Sequence, residues 1–512
     1  MTTLFSLVNS LGLNGLKGYL VGVECDIQDR ALPGTDIVGL PDSAVKEARD
    51  RVKSAMKNSG FEYAPGKITI NLTPADIRKV GSLYDLPIAL AILSAMGYVD
   101  FDLPRSAFIG ELSLSGEVRP VTGILPMAIA AEKAGLNALF IPWENQAEAS
   151  VLDKLPIYPV RNLKEIYRHL SGSISIDPIK PSIPSVQSRQ FDVDFSDVKG
   201  QEGAKRALEI AAAGGHNIMM VGSPGSGKSM LAKRIPTILP EMSFEESIES
   251  TELYSVAGLL TTEEPLIIRR PFRSPHHSIS SVALSGGGTI PHPGELSLAH
   301  NGVLFLDELP EFSRSVLEVL RQPMEDQEIT IARARQSVTF PCSVMVVAAM
   351  NPCPCGYFGH PTRPCTCKEA AVYKYVNKVS GPLLDRLDIH VEVAPVEFSA
   401  LQGKEKSASS AEIRGRVNQA REIQQKRYES LPIHCNARLR PQDLSRFCPM
   451  DDSASTLLQQ AFDRMGLSAR AYDKIIKIAR TIADLENEEI IGKNHIAEAV
   501  QYRSLDRKYW SH

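Results

Sequence analysis

The chain carries almost no surplus of one charge. Its 56 Lys and Arg stand against 60 Asp and Glu, a net charge of −4 over 512 residues. That excludes a basic footprint over the whole surface, so any contact with DNA has to come from local basic patches such as a channel lining. Long apolar runs are missing as well. The longest uncharged one, Leu86 to Val99, is too short for the roughly 20 residues that span a bilayer. No basic stretch precedes an apolar core at the N-terminus, so no secretory signal is expected, no membrane partner either, and the expected compartment is the cytoplasm. There is no internal repeat. Cysteine is scarce outside one place: of eight, four cluster at Cys353, Cys355, Cys365 and Cys367. A reducing compartment argues against disulfides among them.

What is present begins with Gly222, Ser223, Pro224, Gly225, Ser226, Gly227, Lys228 and Ser229, which match G-x-x-x-x-G-K-[ST] directly after the apolar run Ile218 to Val221. An apolar strand, a glycine loop and a helix form the context this motif needs. The glycines let backbone amides curl around phosphate oxygens, and the helix N-terminus adds positive potential. Lys228 would reach the β- and γ-phosphates of ATP, and the Ser229 hydroxyl would hold Mg²⁺. Downstream, Gly302 to Leu309 is an apolar strand ending in Asp307 and Glu308. Asp307 can bind the Mg²⁺ shell and Glu308 can polarise an attacking water. The plain alternative, a buried strand running into a surface acidic pair, loses ground once a P-loop lies upstream.

The length suits about three domains. Residues 1–170 alternate strand-like and helix-like runs, with Lys67–Leu72 alternating as a strand and Ser43–Ser59 reading as an amphipathic helix. Residues 171–190 are rich in Ser and Pro and read as a linker. Residues 191–395 alternate strands and helices around the P-loop, as a parallel sheet with helices on both faces would. Residues 396–512 read as helical, most clearly over Ala471–Leu485 and His495–Leu505.

Three further polar residues stand at suggestive places. Asn351 ends the apolar run Val344 to Met350, either to touch the γ-phosphate or its water, or to start the turn before Pro352. Arg386 follows a short helix-like segment, either to reach the nucleotide of a neighbouring subunit or to pair locally with Asp385 or Asp388. Arg470 opens a helix with Ser468 as a plausible N-cap, either to point back at the γ-phosphate or to lie on the surface.

The order of these motifs, the P-loop, then Pro271 to His277, Gly302 to Leu309, Asn351 to Gly356 and Gly381 to Asp388, resembles the magnesium-chelatase-like AAA+ ATPases of the YifB/ComM family. The resemblance runs over essentially the whole chain. It implies a multidomain α/β fold: an N-terminal Lon-protease-like α+β domain (ribosomal S5 domain 2-like), an AAA+ P-loop core and a C-terminal helical lid. It makes Lys228 the Walker A lysine, Asp307 and Glu308 Walker B, Asn351 sensor 1, Arg386 the arginine finger and Arg470 sensor 2. A finger acting in trans implies a ring of identical subunits, a hexamer. Arg273–Leu298, with Gly286, Gly287 and Gly288, resembles the insert facing the pore. Glu328–Phe340, with Arg333 and Arg335, resembles the hairpin before sensor 1, whose arginines would meet either DNA or a neighbouring subunit.

The segment Phe108 to Leu125, then Ala128 to Gly135 and Leu139 to Pro142, is similar to the proteolytic domain of Lon, a Ser–Lys hydrolase. The chain departs at both catalytic positions. Asp85 stands near the serine's place, Ser82 has no evident base, and Leu125 stands at the lysine's place. The expectation is the fold without the protease.

The spacing of Cys353, Cys355, Cys365 and Cys367 is C-x-C, nine residues, C-x-C. Four thiolates can take zinc tetrahedrally, and a loop with so little apolar content lacks a core of its own. Free thiols, and an iron–sulfur cluster or redox pair, are the alternatives. His360 would be a spare ligand, while His276 and His277 read as hydrogen-bonded loop residues. Cys25, Cys342, Cys435 and Cys448 look structural.

The implied function is an ATP-driven motor acting on DNA, a branch-migration helicase of natural transformation. The rivals are a metal-chelatase motor subunit and a protein-remodelling AAA+ ATPase. Chelatase subunits are expected to resemble the ATPase part alone, which argues against the first.

Overall fold

The computed structural model describes residues 4–29, 31–99, 105–182, 191–333, 336–395 and 407–509, with backbone alone at 333, 336 and 506–508. The chain forms two compact units, Met1–Val186 with Ser247–Ile267, and Gln187–Glu246 with Ile268–His512. Residues 191–395 are therefore not one continuous body, because 247–267 packs within the first unit.

In the first unit, β1 (Phe5–Asn14), β2 (Lys17–Gln28), β3 (Gly34–Val38), β4 (Lys67–Thr73), β5 (Ser106–Phe108), β6 (Ala138–Pro142) and β7 (Ile157–Val160) make one mixed sheet in the order β3-β4-β2-β1-β5-β6-β7. Helices α1 (Ser43–Asn58) and α2 (Asp85–Ala95) cover one face, and α3 (Ile124–Lys133) covers the other. The pleat explains the division: Phe140 enters the first core while its neighbours Leu139 and Ile141 enter the second. Helix α1 forms where periodicity places it. Asp42 caps it by accepting from the Val45 amide at 2.8 Å, and Val45, Ala48, Val52, Ala55 and Met56 are its buried stripe. α4 (Leu163–Leu170), capped by Asn162, completes this face.

The second unit holds α5 (Glu202–Gly214), β8 (Ile218–Val221), α6 (Lys228–Arg234), β9 (Phe272–Arg273), β10 (Val303–Leu306), a hairpin of β11 (Glu328–Arg333) and β12 (Gln336–Pro341), β13 (Met345–Met350) and β14 (Ile389–Glu392). Five strands form a parallel sheet in the order β9-β10-β13-β8-β14. Between α6 and β9 the chain runs through α7 (Phe244–Val256), which begins in the second unit and ends in the first.

The C-terminal helices α8 (Ser410–Arg427), α9 (Asp452–Met465), α10 (Ala469–Leu485) and α11 (Lys493–Gln501) share one continuous apolar core with the sheet, from Phe195 to Tyr502. The helix expected over His495–Leu505 stops at Gln501. The reason is a competing hydrogen bond: the Tyr502 carbonyl accepts from the His390 amide of β14 at 2.9 Å, and Arg503 donates to the Leu387 carbonyl at 2.8 Å.

Asp484 is the buried hub of this helical region. It accepts from Arg427 at 2.9 and 2.5 Å, from Arg480 at 3.1 Å and from Asn436 at 2.8 Å. Removing one partner of a buried ionic group leaves the others uncompensated, at a cost of about 3–5 kcal/mol. Asp484→Ala is accordingly expected to lower the urea stability of the chain by about that amount, read by far-UV circular dichroism. A loss below about 1 kcal/mol, the range of an exposed pair, would mean the network contributes little.

Candidate functional site

β8 is fully buried and delivers the chain to residues 222–227 at its C-terminal end. Gly222 is needed there, since a Cβ would fall 2.4 Å from the Val393 carbonyl oxygen. Gly225 and Gly227 turn the loop through positive φ, 78° and 91°. α6 then starts at Lys228. Its ammonium donates to the carbonyls of Gly222 at 2.7 Å and Ser223 at 3.0 Å, and to Asn351 Oδ1 at 3.2 Å. Burial lowers the Lys228 pKa below the usual lysine value, with Asp307 and Glu308 opposing the shift.

The acidic pair arrives by strand order. β13 lies between β8 and β10, with Val221 beside Met350 and Leu306 beside Ala348. The residues just past these ends, Asp307, Glu308 and Asn351, therefore meet the loop. Ser229 Oγ donates to Asp307 Oδ2 at 2.7 Å. The cavity so formed measures about 390 Å³ and is lined by residues 224–230 with Asp307, Glu308, Met350 and Asn351.

The donors suit a magnesium nucleotide. The Ser226 hydroxyl is buried with no hydrogen-bond partner, and nothing stands within 4 Å of where a Cβ on Gly225 would be. The Ser229–Asp307 oxygen pair spans about the edge of a Mg²⁺ octahedron with ligands at ~2.1 Å.

Glu308 adopts a left-handed φ of 53°, which turns its carboxylate out beside His277, at 3.6 Å from Nδ1. His277 also packs against His276, with ring centroids 4.0 Å apart and planes tilted by 35°, and His276 accepts or donates at Ser278 Oγ, 2.8 Å away. The local sequence held no sign of the Glu308 contact, since it depends on β9 pairing with β10. The insert that follows, Arg273–Leu298, is closed at its base by two 2.6 Å bonds from Arg273 to Glu295, and it carries Val282 and Ile290 exposed.

Arg386 and Arg470 do not line this cavity. Arg386 pairs with neither Asp385 nor Asp388. It meets Glu325 at 2.7 Å and donates to the carbonyls of Arg321 at 2.9 Å and Pro382 at 2.6 Å. Asp388 is engaged elsewhere, by Lys474 at 2.8 Å and the Asn217 amide at 3.0 Å. Burial alone would raise the Asp388 carboxyl, but Lys474 and His216 hold it well below the carboxylate range. Arg470 is exposed in the first turn of α10, where Ser468 caps the helix through the Ala471 amide at 3.2 Å. Arg335 and the side chain of Arg333 lie outside the described residues.

The four clustered cysteines converge, with all their sulfurs within 4.8 Å of one another. Cys353, Cys355 and Cys365 are separated by 3.4, 3.7 and 3.6 Å. A disulfide needs ~2.05 Å, whereas the edge of a ZnS₄ tetrahedron with 2.3 Å bonds is about 3.8 Å. The donor set thus fits a tetrahedral thiophilic metal. His360 is occupied as a turn acceptor, from the amides of Thr362 at 3.1 Å and Arg363 at 3.0 Å. Burial pushes the thiols of Cys25, Cys342 and Cys448 up to about 12, as inert core groups.

In the first unit, Asp85 is buried and doubly bonded to Arg51, at 2.7 and 3.0 Å. Ser82 does have a polar partner, the carboxylate of Glu111, which itself lies 3.8 Å from Arg119. That contact spans 29 residues of sequence and follows from the Gly110 amide bonding the Leu83 carbonyl. The Leu125 amide donates to Glu148 at 2.8 Å, so the position holds a helix cap and no titratable side chain.

Comparison with known proteins covers nearly the whole chain. Residues 194–401 match the family described as "Magnesium chelatase, subunit ChlI", residues 23–145 match "Subunit ChlI of Mg-chelatase", and residues 407–503 match "Magnesium chelatase, subunit ChlI C-terminal". The chain is 42% identical over 511 residues to "Competence protein ComM" of Haemophilus influenzae, covering 98% of each. It is 42% identical over 505 residues to "Uncharacterized protein YifB" of Escherichia coli, covering 98% of this chain and 97% of that one. A partial likeness, 30% over 125 residues, joins it to "Lon protease 2" of Bacillus subtilis, covering 24% of this chain and 22% of that protein.

Proposed function

The chain belongs to the YifB/ComM family of magnesium-chelatase-like proteins, and from that premise we propose that it is an ATP-hydrolysing AAA+ ring motor that drives branch migration of DNA during recombination in natural transformation. The observation that carries the ATPase is the meeting of Lys228, Ser229, Asp307, Glu308 and Asn351 around one cavity. The DNA role is supported by similarity along 98% of the chain to a competence protein.

In this reading the amides of 222–229 and Lys228 hold the phosphates. Ser229 and Asp307 would hold Mg²⁺, which would supply charge neutralisation for the phosphates. Glu308 accepts a proton from the attacking water, and Asn351 orients that water or the γ-phosphate. Arg386 of each subunit serves the nucleotide of its neighbour in a hexamer, and Arg470 reports the γ-phosphate to the helical region, which acts as a lid. Cys353, Cys355, Cys365 and Cys367 would hold structural Zn²⁺, which braces a loop with no core of its own. The motor works in the cytoplasm, where recombining DNA lies.

The ChlI description over 23–145 means that the first unit by itself does not set this chain apart from chelatase subunits, contrary to the expectation above. The full-length likeness to a competence protein keeps the DNA reading ahead.

The test is ATP-dependent processing of a synthetic four-way or three-strand DNA junction, with Lys228→Ala as control. Wild type is expected to resolve the junction, and the variant to leave it intact. A wild type that hydrolyses ATP, yet binds no DNA at low salt and leaves the junction untouched, would end the helicase reading in favour of protein remodelling.

A further inference from the structure

The segment from Asn351 to Gly356 touches the P-loop at two places. At one end, Asn351 Oδ1 accepts from Lys228 Nζ at 3.2 Å. At the other, Gly356 lies against Pro224 at the crest of the loop. A Cβ on Gly356 would fall 2.4 Å from Pro224 Cδ and 2.6 Å from Cγ, and its φ is +83°. Glycine is required here on both counts.

Between these two contacts lie Cys353 and Cys355, the first pair of the cysteine knob. Cys353 is fully buried, and the turn to Gly356 closes on it: the Gly356 amide donates to the Cys353 carbonyl at 2.9 Å and the Phe358 amide to its sulfur at 3.3 Å. From Tyr357 to Cys367 no residue is fully buried, and the apolar anchor of this loop is Phe358 against Tyr509, with ring centroids 6.3 Å apart. Its far end is joined to the turn beside the P-loop by the sulfurs, with Cys365 3.7 Å from Cys353 and 3.6 Å from Cys355, and by the amides of Thr366 and Cys355 on the sulfurs of Cys355 and Cys367.

We propose that the knob is a positioning element for the P-loop, so that metal on Cys353, Cys355, Cys365 and Cys367 sets how tightly the phosphates of ATP are bound. With metal, the four sulfurs tie the turn down and Gly356 buttresses Pro224. Without it, only weak thiol and amide hydrogen bonds hold the sulfurs together, the turn loosens, and Pro224 loses the support of Gly356. Binding nucleotide then requires ordering the loop as well, which weakens affinity. The inference rests on the reading of 222–229 as the nucleotide site and of the four thiols as a zinc site.

The experiment measures equilibrium binding of a fluorescent non-hydrolysable ATP analogue to the full chain. It is done as purified with metal content determined, after a zinc-selective chelator in excess Mg²⁺, and after zinc is returned. The expected result is one zinc per chain, a Kd at least tenfold higher after removal, and recovery on reloading. Gly356→Ala, whose cysteines are intact, is expected to keep its zinc and still bind the analogue more weakly. Adding Pro224→Ala removes the ring atoms that meet the new Cβ, so the double variant is expected to recover part of the loss, which a general folding defect would not. Affinity unchanged within twofold between zinc-free and zinc-loaded protein overturns the proposal, as does a chain that holds no zinc at all. A wild type that holds zinc but binds no ATP analogue sinks the ATPase reading, and the inference with it.

Discussion

Replacing Glu308 with glutamine is expected to cut steady-state ATP turnover by about 10²–10⁴, the range for loss of a positioned general base, while nucleotide binding persists. The amide keeps the size of the carboxylate but cannot take the proton of the attacking water. The phosphate ligands, Lys228, Ser229 and the loop amides, are untouched, since Glu308 contributes to none of their bonds. The readout is phosphate release together with acid-quench analysis of bound nucleotide, which should find uncleaved ATP. Turnover within threefold of wild type would show that another group activates the water. His277, 3.6 Å from the Glu308 carboxylate, would then be the first residue to examine.

Arg386→Ala is expected to lower turnover by about 10³ or more, the usual contribution of an arginine finger. The distinguishing feature is complementation. In a ring, a subunit lacking Arg386 but keeping its own P-loop can be served by a neighbour that lacks Lys228 but keeps its Arg386. Mixing Arg386→Ala with Lys228→Ala should therefore restore part of the turnover that neither variant has alone. The structure supplies a competing account, because Arg386 already bonds Glu325 and two backbone carbonyls within its own chain. If that local role were its whole purpose, the variant would lose stability and mixing would rescue nothing.

The parts of the site that stand on one stretch of chain were legible in the sequence. The strand, loop and helix around residues 218–234 are local hydrogen-bonding units with glycines at the turns. Asn351 was legible in position, since an apolar strand must end somewhere. That it reaches Lys228 depends on β13 lying between β8 and β10, which no local pattern encodes. The partner of Arg386 was missed for the same reason: the expected neighbours Asp385 and Asp388 are adjacent in sequence, whereas Glu325 is supplied by a distant segment. Ser82 and Glu111 repeat the lesson in the first unit. Helix α1 emerged at its expected place because its apolar stripe and its Asp42 cap are both local. The helix expected over His495–Leu505 broke because β14 took the Tyr502 carbonyl, a competitor invisible from periodicity. The cysteine spacing suggested four ligands, but the approach of Gly356 to Pro224 had no signature beyond a glycine.

Helix α7 has a consequence for how the chain is made. The first unit is interrupted after Val186 and resumes at Ser247. Its later part is not peripheral: the Ser255 hydroxyl bonds the buried Glu148 carboxylate, and the Gly123 amide donates to the Ser255 carbonyl at 3.2 Å. A ribosome making the chain from its N-terminus exposes the P-loop and α6 before it exposes Ser255. The N-terminal unit therefore waits for its last piece while the beginning of the nucleotide site is already out of the exit tunnel. Birth order along the messenger and closing order in space are interleaved, and the two units mature as one translation product.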